Sequence, residues 1–159
     1  MKEAFAVVVE RTALHDRFVA RFHFGDPPAP ASAQTLDVVE AELNTRLPEA
    51  YRRFMICHGV IHTPGILDAL CAGQVDHPDV QDFLAPQQVV DNTKGYWSAG
   101  MPRDIIGFAS DCMGNLLGFR HQSVVADDGA VVFFDHDYRK VRELSDSFDG
   151  FLRWYLDNL

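Results

Sequence analysis

Cysteine is scarce in this chain, and long apolar runs are absent. The three cysteines, Cys57, Cys71 and Cys112, are odd in number and have no tight spacing, which argues against a secreted disulfide framework and favours a reducing compartment. No window approaches the roughly 18 uninterrupted apolar residues of a membrane span, and residues 1–10 lack the charged, apolar and small order of a signal peptide. We therefore expect a cytoplasmic protein that does not associate with membranes.

Basic residues are also few, with 14 Lys and Arg against 23 Asp and Glu, for a net charge of −9. They are scattered singly apart from Arg52-Arg53 and the stretch 139–142. Because phosphate neutralisation needs clustered cations, nucleic acid is not an expected partner. The acidity serves solubility alone or steers a basic partner into contact.

The length of 159 residues predicts one domain, 1–159, and a hydrophobic fraction of 47% is ordinary for a globular chain. At this size a core forms without metal or disulfide. The glycines occur singly, so no phosphate cradle is present and no cofactor is expected.

Helices are predicted near both ends of the chain. Within the first 24 residues, Phe18, Val19 and Phe22 fit a helical face, whereas Val7 to Val9 favour a strand. Further helices are predicted from a Ser32 or Thr35 cap to Leu43, from Pro48 to Cys57, from Pro86 to Trp97, and after a Ser145 or Asp146 cap. The prolines and glycines between Val60 and Gln88 predict weakly structured chain there.

Three short apolar runs, 105–109, 116–119 and 131–134, predict strands of an antiparallel meander, with Val124-Val125 as a further candidate. The residues 111–115 and 127–129 supply turns. The expected fold class is α+β: a central, mostly antiparallel sheet with an N-terminal helical pair and a C-terminal helix packed on it.

Four blocks in this order resemble a known family. The first is formed by Glu40, Leu43, Asn44, Leu47, Pro48, Tyr51, Phe54 and Gly59. The second is the segment 101–109, followed by the turn residues Asp111, Gly114 and Asn115. The third is the strand that leads to His136, and the last is the helix start at Ser147, Phe148, Phe151 and Leu152. Together they resemble the SUKH superfamily, which contains the yeast Smi/Knr cell-wall regulator and many bacterial immunity proteins, over roughly Ala33 to Leu156.

This resemblance implies an α+β domain that works by binding another protein and has no catalytic activity. In bacteria the partner implied is a cognate toxin, neutralised by occlusion of its active site. Two alternatives stay open: a regulatory or scaffold protein of Smi/Knr type without a toxin partner, and an uncharacterised hydrolase. Asn44 stands where the family has Gly, and His58 where Asn is common.

Other chemistry is weakly supported. His58, His62 and Cys57 invite a zinc site, but Gly59 and Pro64 break the helix that would align them, and Cys57 is expected in the core. A nucleophilic site could draw on Ser110, Cys112, His121 or His136, yet no nucleophile elbow is present. Asp135 and Asp137 are expected to form a solvated strand end or a cap for the next turn rather than to act as paired catalytic carboxylates. Asp111 to Asn115 predicts an Asx turn rather than a calcium loop.

The partner contacts are expected on loops. Carboxylates at loop tips could meet a basic partner where it expects phosphates, and the candidates are Asp76, Asp79, Asp82, Asp127 and Asp128. Tyr96 and Trp97 are possible aromatic anchors, with core packing the alternative for Trp97.

Overall fold

The computed structural model describes residues 2–121 and 129–159. Within these ranges the helices are α1 (Lys2–Phe22), α2 (Ala33–Leu43), α3 (Glu49–Cys57), α4 (Gly65–Gly73), α5 (Pro86–Ser98) and α6 (Phe148–Asn158). The strands are β1 (Asp82–Phe83), β2 (Ile105–Ser110), β3 (Leu116–Arg120), β4 (Val131–Asp135) and β5 (Lys140–Ser145). Val124-Val125 and the turn residues Asp127 and Asp128 lie outside the described residues.

The five strands form one sheet in the order β1-β2-β3-β4-β5, and every neighbouring pair is antiparallel. The expected meander and the α+β class are therefore confirmed. The register pairs Gly107 with Gly118 and Leu117 with Phe133. Each turn of a meander reverses the chain, so the β2–β3 and β4–β5 turns lie at the same end of the sheet.

Helices cover both faces of this sheet. On one face, Tyr51 of α3 lies 5.0 Å from the Phe119 ring and 5.5 Å from the Phe148 ring of α6, measured between centroids. On the other face, Tyr96 of α5 lies against Phe134, because alternate residues of a strand point to opposite sides. The expected helical pair, α2 and α3, and the C-terminal helix thus pack around the sheet as predicted, with α5 added on the second face.

The amino-terminal segment is helical, and it docks on α6. Arg11 Nε donates to Asp149 Oδ2 at 2.7 Å, and His15 Nε2 lies 2.8 Å from Asp149 Oδ1. Farther along, Phe18 is fully buried and packs against Phe83. The buried positions of α1 recur every three or four residues, which is why the helix prevails over a strand here.

Helix ends follow the expected capping chemistry with one change. The Ser32 hydroxyl accepts a hydrogen bond from the Thr35 N–H, and Asn44 ends α2 in the left-handed conformation with φ 49°. The predicted caps of α6, Ser145 and Asp146, are wrong, because the Ser147 hydroxyl accepts from the Gly150 N–H at 3.0 Å. The helix therefore begins at Phe148.

Three elements and one side chain depart from expectation. Strand β1 is the first, because no strand is predicted at Asp82–Phe83. Helix α4 forms within the segment predicted to be weakly structured; it buries Ile66 and Leu70 and ends at Gln74 with φ 53°. Strand β5 contains charged residues instead of an apolar run, so the sequence pattern does not predict it. Cys57 is exposed rather than in the core, because it is the last residue of α3 and the chain turns away at Gly59.

Candidate functional site

The residues of the family pattern fall into two sets, and the first set builds the core. Its apolar members are all buried: Leu43, Leu47, Pro48, Tyr51, Phe54, Phe148, Phe151 and Leu152. Glu40 Oε1 accepts from the Leu47 N–H at 2.8 Å and so fixes the α2–α3 connection. Gly59, at φ +79°, packs so closely on Ala29 that a Cβ there would lie 1.9 Å from its carbonyl oxygen. Together with the Ser147 cap, these residues determine the fold.

The second set lies at one end of the sheet, where Asp111 organises the β2–β3 turn. Its Oδ1 accepts from the Met113 N–H at 2.9 Å and from the Asn115 N–H at 2.7 Å, and its Oδ2 accepts from Asn115 Nδ2 at 2.8 Å. Gly114 has φ +83°, a conformation that other residues rarely adopt. The expected Asx turn is therefore present, with Asp111 almost fully buried beneath it.

Asn115 joins this turn to the next hairpin. Its Oδ1 accepts a hydrogen bond from the His136 N–H at 3.1 Å and lies 2.8 Å from His136 Nδ1. Asp135 Oδ1 in turn accepts from the N–H groups of Asp137 and Tyr138 at 3.0 Å each, so of its two expected roles it has that of a cap for the β4–β5 turn. The two neighbouring hairpin tips are thus held together by side chains rather than by the strand ladder.

Two further side chains, those of Tyr96 and Asp79, hold the β2–β3 turn. The Tyr96 hydroxyl at the end of α5 donates to the Gly114 carbonyl, and desolvation followed by the charge of Asp111 raises the pKa of that hydroxyl. Asp79 Oδ2 accepts from the Cys112 N–H at 3.1 Å. Only 7% of the Asp79 surface is exposed, so its expected place at a loop tip is wrong: its carboxylate is needed to satisfy a backbone donor.

Each of the two turns has one large apolar side chain that is exposed to solvent. Met113 is 71% exposed and Tyr138 is 73% exposed. Beside them, Arg139 and Lys140 are exposed, and the Lys140 ammonium lies 5.8 Å from the centroid of the Tyr138 ring. We call Met113, Tyr138, Arg139 and Lys140 the hairpin-tip surface.

Arg139 has a backbone conformation that is uncommon for its residue type, with φ +52°. Non-glycine residues held there cost of the order of 1–3 kcal/mol and cluster at functional sites. The Arg139 side chain lies along Gly100, where a Cβ would come within 3.4 Å of its Cδ. Gly100 follows the end of α5, whose carbonyl groups favour a nearby cation.

The hairpin-tip surface is not predicted from the sequence. The pattern around Met113 indicates only a turn, and it assigns no role to Tyr138 or to the 139–142 stretch. The available clue is one large apolar residue within each of two turns that are otherwise polar, at Met113 and at Tyr138. A single exposed apolar residue is ordinary, but these two lie in turns at the same end of the sheet, and apolar residues that lie together on a surface are typical of an interaction site.

The other expected partner contacts are dispersed. Asp76 is exposed, and Asp82 is exposed with its Oδ1 2.5 Å from His62 Nδ1. Asp127 and Asp128 lie outside the described residues. Trp97 is half-buried, and its Nε1 donates to the Ile105 carbonyl at 2.8 Å. Of the expected contacts, the structure brings only Tyr96 and Asp79 to the hairpin tips, where both support the turn.

The residues considered for zinc have other neighbours. His58 Nε2 lies 3.2 Å from Asp16 Oδ1, and His62 pairs with Asp82. Within residues 2–121 and 129–159, no group of three or more His, Cys, Asp or Glu side chains is arranged to hold a metal ion.

The candidates for nucleophilic chemistry also have other neighbours. His121 Nδ1 lies 3.0 Å from Thr45 Oγ1, and His136 contacts Asn115. Desolvation and the carboxylates of Asp79 and Asp111 raise the pKa of the Cys112 thiol. A raised pKa disfavours the thiolate on which cysteine nucleophiles depend.

Comparison with known proteins finds a family whose sequence model covers both sets of residues. In the described part of the chain, no helix has the length and apolarity to cross a membrane. No curated protein matches the sequence significantly. The sequence model of the SMI1 / KNR4 family (SUKH-1) matches residues 30–154, which include both the core set and the turn set and leave α1 outside. With well over half of its length matched, the chain belongs to the SMI1 / KNR4 family (SUKH-1).

Proposed function

We propose that this protein is a cytoplasmic immunity protein of bacterial type, which neutralises a cognate toxin by binding it and acts without catalysis. Membership of the SMI1 / KNR4 family (SUKH-1) supports a protein-binding role, as the sequence resemblance implied. The observation that carries the proposal is the hairpin-tip surface: two large apolar side chains held out by a network of buried or half-buried polar groups.

The physical argument concerns entropy and rigidity. Binding is weaker when flexible side chains and loops must become ordered to form the interface, because their conformational entropy is lost. Here Asp111, Asn115 and Asp135 already hold the two turns through six hydrogen bonds to backbone and side-chain groups. A surface that is fixed in advance loses less on binding, and Tyr and Met are both enriched at protein interfaces.

The test is capture followed by a toxicity assay. The tagged protein is purified from its own cell at moderate salt, and the protein that co-elutes in near one-to-one amount is expressed in a sensitive host. We expect that protein to arrest growth alone and to be harmless when this chain is co-expressed. Several substoichiometric partners without toxicity would contradict the proposal and favour the regulatory scaffold.

A further inference from the structure

The stretch 139–142 is the densest group of cations in a protein whose net charge is −9. It starts at the β4–β5 turn and continues along β5, the last strand of the sheet. Arg139, Lys140 and Arg142 are all exposed, and none of them forms an ion pair with a described residue. Arg52, Lys94 and Arg120, by contrast, each have a carboxylate partner.

Two of these cations lie next to the exposed aromatic residue of the hairpin-tip surface. Lys140 is positioned over the Tyr138 ring, and the side chain of Arg139, the next residue after Tyr138, lies against Gly100. The nearest acidic neighbour along the turn, Asp137, lies 3.3 Å from His136 Nε2. The hairpin tip therefore combines apolar area with two cations that have no ion-pair partner among the described residues. The carboxylates of the same turn have partners of their own: Asp135 accepts from two backbone N–H groups and Asp137 lies beside His136.

The apolar area and the charges of the hairpin-tip surface indicate the chemistry of the partner that would fit it. Apolar side chains contribute most to the binding free energy when they enter a pocket that excludes water. The charges around them add to affinity or specificity when they face charges of opposite sign. We propose that the hairpin-tip surface docks into an apolar pocket bordered by carboxylates on the partner protein, with Tyr138 and Met113 entering the pocket and Arg139 and Lys140 facing its acidic border. This inference rests on the proposed function, because it describes the contact through which the partner is bound.

An exposed tyrosine beside Arg and Lys could also stack on a base of single-stranded nucleic acid. The observations favour protein, because single-strand binding needs a groove of clustered cations and several stacking rings, whereas this surface has two cations and one aromatic ring. Nucleic acid is therefore one outcome of the test.

The first experiment locates the contact. A photo-crosslinking phenylalanine derivative is placed at position 138 and, as a control, at position 38, because Val38 is 53% exposed on α2. We expect the captured partner to crosslink at 138 and not at 38. Crosslinking at 38 alone would overturn the docking surface while leaving the proposed function intact. Failure to capture any stoichiometric partner would overturn both.

The second experiment tests the charge and the aromatic ring by titration calorimetry with the purified partner. We expect Tyr138→Ala, and separately Arg139→Glu with Lys140→Glu, to raise Kd by at least about tenfold. The matched control is Arg17→Glu with Arg46→Glu, which changes the net charge equally at two other exposed arginines. Equal weakening by both double variants would show that only overall charge matters and would overturn the acidic border.

The third arm uses a labelled 15-nucleotide poly-dT strand. We expect no salt-sensitive binding to the wild-type protein. Binding that is lost in the Arg139→Glu, Lys140→Glu variant, with the affinity for the protein partner unchanged, would assign the surface to nucleic acid instead. Thermal unfolding of each variant confirms that the changes act on binding and not on folding.

Discussion

The Asn115 side chain bonds to both hairpins at the end of the sheet: its Oδ1 accepts from the His136 N–H of one turn, and its Nδ2 donates to Asp111 of the other. One amide therefore fixes the relative position of Met113 and Tyr138, which lie two residues away on either side of the link. Asp79 and Tyr96 hold the same turn from beneath.

Replacement of Asn115 by Ala is expected to lower the free energy of unfolding by about 1–2 kcal/mol, since hydrogen bonds that include one to a charged carboxylate are lost. Chemical denaturation measures this change. The control is Asn158→Ala, because Asn158 is exposed and donates only to the Trp154 carbonyl at the end of α6. That variant is expected to change stability by less than about 0.5 kcal/mol. Similar losses in both variants would argue against the bridging role.

Two glycines are expected to respond to alanine with opposite sign. Gly59 has φ +79° and faces the Ala29 carbonyl, so Gly59→Ala should cost at least about 1–2 kcal/mol from its backbone conformation, with the collision added. Gly95 lies within α5, and a Cβ at this position would have no neighbouring heavy atom within 4 Å outside its own helix backbone, so Gly95→Ala should stabilise by up to about 1 kcal/mol. Denaturant midpoints of the two variants would contradict this account if they shifted in the same direction.

Much of the fold could be predicted because the deciding residues act locally. Ser32, Asn44 and Asp111 each satisfy backbone groups within four residues of themselves, so their roles are visible in sequence. Strand β5 could not be predicted, because as an edge strand it is half exposed and carries Lys140, Arg142 and Glu143 in place of an apolar run.

The candidate site was predicted only in part, because its members are close in space and distant in sequence. Asp79 lies 33 residues from the Cys112 N–H that it binds, and a carboxylate beside Pro78 has no local feature that indicates burial. Helix α4 was not predicted, and the reason lies at its carboxyl end. It ends at Gln74, whose backbone takes the left-handed conformation that usually indicates Gly or Asn.

Asp149 makes stability depend on pH in the acid range. Burial raises the pKa of its carboxyl, but the hydrogen bonds and charges of His15 and Arg11 outweigh this and hold the pKa below the usual value. Because the folded-state pKa lies below that of the unfolded chain, the carboxylate stabilises the fold above about pH 4, and this stabilisation is lost as pH falls through the folded-state pKa.

Asp149→Asn should therefore be less stable than the wild type at neutral pH and should lose less stability on acidification. The measurement is the free energy of unfolding from pH 7 to pH 2.5, with Asp157→Asn, an exposed position of the same helix, as the control. Parallel curves for wild type and Asp149→Asn below pH 5 would show that the α1–α6 contact does not depend on this charge.

His77 adds a second dependence at higher pH. Its ring stacks on Trp154 with 3.6 Å between centroids, and burial, followed by the positive charge of Arg142, lowers the pKa of His77 to about 4. An unfolded histidine has a pKa near 6.5. The contribution of neutral His77 to the stability of the fold is therefore fully present above about pH 6.5 and is lost as pH falls toward 4.

In His77→Phe the ring stack is retained and the titration is removed, so the decline between pH 6.5 and 4 should become shallower. Guanidinium denaturation at half-unit pH steps measures the difference from the wild type. His58, whose pKa is also lowered by burial, titrates in both proteins and cancels in that difference. If the two curves coincide, His77 is protonated as easily in the folded chain as in the unfolded one.

The last prediction separates the ring of Tyr51 from its hydroxyl. The ring packs between Phe108, Phe119 and Phe148, whereas the buried hydroxyl has no hydrogen-bond partner among the described residues, and burial raises its pKa far above the usual value. A buried polar group without a partner opposes folding, so Tyr51→Phe should leave stability unchanged or raise it by about 1 kcal/mol.

Tyr51→Ala is the contrasting variant for this position. It removes the ring contacts and should cost about 3–5 kcal/mol, as other large aromatic truncations do. Thermal and chemical unfolding of the two variants report the difference directly. A marked loss in Tyr51→Phe would mean that the hydroxyl is bonded in the folded protein; without such a loss, packing alone accounts for the contribution of this family residue to stability.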